Sequence, residues 1–353
     1  MTTIRLDHPA AGIVTLRPDG APTVLDGAPA LDTLVLEVAG GHLTWSLLTG
    51  QQLPAATLDD TEAAQDWLWA VYGENTALAV ADDEGHHREL TATPARPELV
   101  TALRRLAYAH WASRWWPAST VDNIPALDPA ALAKEIAALS EVCEAVLSGA
   151  DDPDTAGVHG STDEPSAPRH GEPAPSGGRG ASRHDGRAED YALAAGGEAS
   201  GTGLALARGA GDWDWRCCPP GLVDAGARSV SWQVRRGGGV TTVEVAAIAA
   251  PDCPRDVPEH LRPLARLRAA DALAEVPLVR RGDAWVGELR TSDVIENLVS
   301  VGVFVRSVGS DSPLPDESAM RASIRDLVRH RLAGTGDDLL AAERAAAEDD
   351  SDF

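Results

Sequence analysis

Lysine is almost missing from this chain: Lys134 stands alone among 353 residues, against 29 arginines. Phenylalanine (two) and tyrosine (three) are nearly as scarce, so the ten tryptophans carry most of the aromatic content. With abundant Ala, Gly and Pro, this is the bias of a GC-rich genome, and the arginine count by itself is no argument for phosphate binding. The four cysteines (Cys143, Cys217, Cys218, Cys253) are too few for a disulfide framework in a chain of this length, which points to a reducing compartment. No run approaches the roughly 18–20 apolar residues of a membrane span. The start, Met-Thr-Thr-Ile-Arg-Leu-Asp, has neither a basic segment nor an apolar one of signal-peptide type, so the expected location is cytoplasmic.

Catalytic signatures are missing too. There is no P-loop, no G-x-S-x-G, no H-E-x-x-H and no G-x-G-x-x-G following a strand; Gly201-Thr202-Gly203 lies in low-complexity sequence. No catalytic residue and no cofactor is therefore expected.

What is abundant is negative charge. The chain carries −24 overall: −12 over residues 1–149, −5 over 150–211, −1 over 212–336 and −6 from 337 onward. Nucleic acid and anionic membranes need a basic footprint, so neither is an expected partner and no membrane insertion is expected. The charge-balanced C-terminal half is suited to an acidic protein surface, the chain's own N-terminal half among them.

Residues 1–149 read as an α+β domain, a small antiparallel sheet with about three helices. Leu34–Val38 and His42–Leu48 flank Gly40-Gly41 as a hairpin. Asp59-Asp60-Thr61 offers N-caps for a helix through Trp67 and Trp69 to Gly73. Thr76–Val80 and Arg88–Thr93, around an acidic turn, are expected to form a second hairpin. Pro97 opens and Pro117 closes a Trp-containing helix, and Asp128-Pro129 starts another that stops at Gly149. Residues 150–211 are Pro-, Gly-, Ser- and Asp-rich with few large apolar side chains, and read as a disordered linker spanning roughly 40–50 Å as a coil. Residues 212–334 hold alternating apolar and polar runs, including Ser229–Val234, Val240–Val245, Ala284–Leu289 and Val299–Val305. These imply an all-β immunoglobulin- or fibronectin-like sandwich ending in a helix near Glu317–Leu332. The acidic tail from 335 is expected to fray, with a short helix over Leu339–Ala347 as the alternative.

Candidate site residues fall into two groups. Tyr108, Trp111 and Trp115 share a helix face beside Arg104 and Arg114, and with Trp116 they form an aromatic–arginine set typical of protein-interface anchors. The competing reading packs the Trp face on the sheet and leaves the arginines in solvent. Asp212-Trp213-Asp214-Trp215, as a strand, would present Trp213 and Trp215 on one face. The adjacent Cys217-Cys218 suits a redox or soft-metal role, although no C-x-x-C or neighbouring His supports zinc. Cys143 with His110, and His86-His87 beside Asp82, Asp83 and Glu84, fit an inert core thiol and a solvated turn better than chemistry. The expectation is a non-enzymatic adaptor binding protein partners, such as an accessory part of a bacterial signalling or defence assembly. The alternatives are an enzyme with dispersed residues and a Cys217-Cys218 sensor.

Overall fold

The computed structural model describes residues 2–26, 30–83, 85–148, 204–269, 273–292, 298–309, 317–334 and 338–351. Strands β1 (Thr2–Ala10), β2 (Ile13–Pro18), β3 (Thr33–Val38), β4 (Gly41–Ser46), β5 (Ala55–Leu58) and β6 (Arg88–Ala92) make one antiparallel sheet, in the order β3-β4-β5-β2-β1-β6. Helices α1 (Thr61–Tyr72), α2 (Glu74–Ala81), α3 (Pro97–Trp115) and α4 (Pro129–Leu147) accompany it. Alternation along the strands puts Ile4, Leu6, Leu34, Leu36, Leu43 and Trp45 inside, where they meet Trp67 and Leu68 of α1. Two indoles fasten helices to the sheet: Trp67 Nε1 donates to the Ala39 carbonyl at 2.9 Å, and Trp111 Nε1 to that of Leu31 at 2.7 Å.

The capping signals act where the sequence put them. The Asp60 carboxylate accepts from the Glu62 and Ala63 amides at 3.0 Å, and Asp128 caps α4 through the Ala130 amide at 2.9 Å. The expected hairpin of 76–80 with 88–93 does not form. Residues 74–81 are helical, and β6 pairs with β1 instead. The reason is local: Ala77, Leu78, Ala79 and Ala81 favour helix, and Val80 alone does not outweigh them. Glu74 in the first turn adds a favourable charge at the helix N-terminus.

The C-terminal region is β-rich. Strands β7 (Leu204–Gly211), β8 (Val230–Gly237), β9 (Val240–Ile248), β12 (Val279–Arg281) and β13 (Ala284–Thr291) form an antiparallel sheet ordered β12-β13-β9-β8-β7. Strands β10 (Leu264–Ala269), β11 (Leu273–Pro277) and β14 (Leu298–Phe304) form a second, ordered β11-β10-β14. The chain passes from one sheet to the other at Leu278, which is buried between β11 and β12. Helices α5 (Ser318–Leu332) and α6 (Ala341–Ser351) complete the described chain. Among the described residues no helix is long and apolar enough to cross a membrane.

Three expectations are corrected here. Residues 204–211, assigned to the linker, are strand β7; the rest of that linker lies outside the described residues. The strand was hidden by its own inner face, which offers Ala207, Gly209 and Gly211 rather than large apolar groups. That smoothness is needed: a Cβ on Gly209 would sit 2.6 Å from the ring of Trp232 on β8. Asp212–Trp215 is not a strand. It leads into a 3-10 turn, Trp215–Cys217, capped by Asp214. The tail does not simply fray, because residues 341–351 form α6.

Candidate functional site

Polar side chains gather where the C-terminal half meets the N-terminal half. The loop after α3 closes on itself through paired Ser119–Ile124 backbone bonds, and Asn123 adopts φ 51° to make the turn. This loop receives Asp224. The Asp224 carboxylate accepts from Ser119 Oγ and the Thr120 amide, both at 2.7 Å, from the Gly226 amide at 2.8 Å and from Thr120 Oγ1 at 3.1 Å. Asp224 is fully buried. Burial raises its pKa above the ordinary carboxylate value, and the bonds from Ser119, Gly226 and Thr120 pull it part of the way back. Gly226 permits the approach, since a Cβ there would lie 2.7 Å from Ser119 Oγ.

Two arginines of α5 extend the joint. Arg321 binds Asp212 bidentately, both bonds at 3.0 Å. Arg325 reaches Asp122 of the N-terminal loop at 3.3 Å and donates to the Ala225 carbonyl at 3.1 Å; its guanidinium lies 5.8 Å from the Trp215 ring. Desolvation depresses the Arg325 pKa, and Asp122 and Asp212 oppose that shift. The Asp122 carboxylate also accepts from the Ala227 amide at 3.0 Å.

A second joint is built along α3 itself, at Arg105 and Tyr108. The buried Glu343 carboxylate of α6 accepts from Arg331 at 2.7 and 2.8 Å, from Tyr108 Oη at 2.6 Å and from the Leu340 amide at 2.7 Å. The last bond is half of a capping box, with the N3 glutamate reaching back to the N-cap amide. Glu135 of α4 accepts from the Ala341 amide at 2.7 Å and pairs with Arg105, which also donates to the Leu339 carbonyl at 2.9 Å. Arg331 lies 4.5 Å above the Tyr108 ring. Burial and the Glu343 charge push the Tyr108 hydroxyl well above its usual pKa.

The expected partner anchors divide by burial. Trp111, Trp213 and Trp215 are buried, and the Trp213 indole donates to the Asp224 carbonyl at 2.8 Å. Trp115 and Trp116 are half-buried; Arg114 is exposed and lies over the Trp115 ring at 5.1 Å. Arg104 is not in solvent either. Burial and Arg331 lower its pKa while Asp338 raises it, which places it beside the second joint. The structure thus brings Arg104 and Trp111 to opposite duties on one helix, and sets Trp213 and Trp215 in the first joint.

Cys217 and Cys218 are free thiols, half-buried and buried. Burial, with the Asp214 charge, raises the pKa of both, which disfavours the thiolate that redox exchange and metal binding require. Burial likewise pushes Cys143 up to about 11. His87 pairs with Asp7 and His8 with Asp83, and among the described residues no group of three or more His, Cys, Asp or Glu is arranged to hold a metal. Cys217 lines an open recess of about 300 Å3 with Arg266, Glu275, Phe304 and Arg306, in which Glu275 pairs with both arginines.

Sequence motifs alone do not single out Ser119, Asp122, Asp224, Arg321, Arg325 and Glu343. A signal existed for two of them: Arg321 and Arg325 interleave with the buried Ile324 and Val328 on one face of α5, where solvated arginines have no place. Compared with known proteins, the chain matches no family model, no curated protein and no solved structure.

Proposed function

We propose that the protein is a non-enzymatic adaptor that binds protein partners in a reducing, cytoplasmic setting. The observation that carries this reading is β7. Among the described residues it is one of the two edge strands of the five-stranded sheet, the longer one, and Leu204 and Leu206 on it are 73% and 38% exposed. Soluble proteins blunt such edges with charge, Pro or cover, because open backbone groups beside apolar side chains recruit another strand. Here Arg208 is the one charge on the strand. In this proposal residues 1–149 and the β-rich region are two domains, and the latter serves recognition as immunoglobulin- and fibronectin-like sandwiches do. Its β7-β8-β9 meander differs from the strand order of the immunoglobulin domain, so the likeness is one of role and layering.

The deeply buried charged groups support the same reading, since Asp224, Arg325, Arg321 and Glu343 are consumed in holding the chain to itself. The test is co-purification with the tagged full-length chain after gentle lysis, compared with Leu206→Lys. Retention of a partner should fall at least tenfold in the variant while its circular dichroism and melting stay unchanged. A wild-type chain that comes alone, or a partner indifferent to the lysine, defeats the proposal.

A further inference from the structure

We propose that the cleft between α3, α4 and the end of α5 is a receptor for an acidic, alanine-faced helix, and that α6 is its resident, exchangeable occupant. The partner that fits it in trans is a helix start of the form Leu-Leu-x-Ala-Glu-x-x-Ala on another protein. This goes beyond the adaptor reading and uses a different surface from β7.

The receptor side is built from elements fixed independently of α6. Arg105 and Tyr108 belong to α3, which is held independently through the Trp111 indole bond to the Leu31 carbonyl. Arg331 belongs to α5, which Arg321 and Arg325 hold through Asp212 and Asp122. Glu135 sits on α4. Each presents a group aimed at one feature of a helix start: Arg331 and Tyr108 at the N3 carboxylate, Glu135 at the N1 amide, Arg105 at the carbonyl preceding the N-cap. Arg104 and Arg105, from the stretch carrying −12, meet Arg331 of α5 here, and the segment that occupies the spot carries −6 from residue 337.

The occupant is weakly held by other means. Its buried side chains are Leu339, Leu340, Ala342, Glu343 and Ala346, so two leucines and two alanines supply the apolar contact. A helix of 11 residues is shorter than the ~12–15 at which isolated helices become marginally stable, so α6 forms as it docks. Specificity therefore rests on the glutamate, and what keeps the cleft filled is tethering. A short connection gives an effective concentration in the millimolar range, which masks the cleft from a free helix of equal affinity. A partner enters when it offers the same start with more apolar area.

The experiment uses the full-length chain and a fluorescent peptide of residues 338–351. Glu343→Ala in the chain releases the occupant without touching the receptor, and Leu340→Asp does so from a second position. Both should bind the wild-type peptide at least tenfold more tightly than the wild-type chain does, and the peptide carrying Glu343→Ala should lose at least tenfold. In the wild-type chain, α6 amides should exchange at least a hundredfold faster than those of α5. Failure of both variants to bind the peptide, indifference to the peptide glutamate, or equal protection of α5 and α6 each overturns the proposal. None of these readouts depends on whether a cellular partner binds β7, so the two proposals fail separately.

Discussion

Asp224 and Glu343 are both fully buried carboxylates, and both fasten a C-terminal element to the region around α3. They are satisfied in opposite ways. Asp224 is met by hydroxyls and amides from Ser119, Thr120 and Gly226, with no cation donating to it among the described residues. Glu343 is met by the Arg331 guanidinium, with Tyr108 and one amide filling its remaining capacity. A carboxylate held by neutral dipoles demands several donors at fixed positions, so it suits a rigid loop such as 119–124. A carboxylate held by a guanidinium needs one planar partner, and a helix bearing little else can dock on it and leave it. The first joint is thereby structural and the second exchangeable.

The sharpest way to break that contrast is Asp224→Ala. It strands the Ser119 hydroxyl and the Gly226 and Thr120 amides, and each buried donor left unpaired costs about 1–3 kcal/mol. Water reaches Thr120, so the expected loss is about 3 kcal/mol. Urea denaturation should show it as a lower midpoint, with the halves still tied by the Arg325–Asp122 pair and by the second joint. An unshifted midpoint would show that the Asp224 bonds contribute nothing to holding the loop.

A smaller effect is expected at the second joint. Tyr108→Phe removes one bond to a charged acceptor, worth about 1.5 kcal/mol, while Arg331 keeps its bidentate contact. That corresponds to roughly tenfold more frequent opening of α6. Hydrogen exchange should place the change in residues 341–351, with the global melting temperature nearly unmoved. A fall in global stability with no local change would make α6 part of the cooperative core.

These joints were the least legible features of the sequence, and their geometry explains why. Asp60 and Asp128 announce helices because a cap and its amides are two or three residues apart. Asp224 and Ser119 are 105 residues apart, and nothing in either neighbourhood names the other. Glu343 sits in a tail with six other acids, and only the fold separates it from them. The strand expected at 76–80 failed for another reason, because its alanines favour helix and one valine does not reverse that. β7 was hidden because a strand whose inner face must accept Trp232 is written in glycine and alanine, the alphabet of a linker. The tryptophans were legible as a group, and Trp111 faces inward as the core-packing reading of its helix has it, while Trp213 and Trp215 are buried beside Asp224.

The smallest expected effect concerns protons. Burial raises the Asp224 pKa above its unfolded value, and the bonds from Ser119, Gly226 and Thr120 offset only part of that rise. In the window between the two values the folded chain binds more protons than the unfolded one, so stability falls as pH rises through it. The contribution is fully present below the unfolded value and is lost above the folded one, opposite in sign to the usual salt-bridged aspartate. Comparing wild type with Asp224→Asn isolates it, because asparagine does not titrate; its misfit against the Thr120 amide is a constant offset. Lowering the pH from 7 toward 4 should favour the wild type relative to the variant, by at most about 1.4 kcal/mol per pH unit and by less at the window's edges. If the difference instead grows as pH rises, the neutral donors outweigh the cost of burying the charge, and Asp224 responds to pH like a salt-bridged carboxylate.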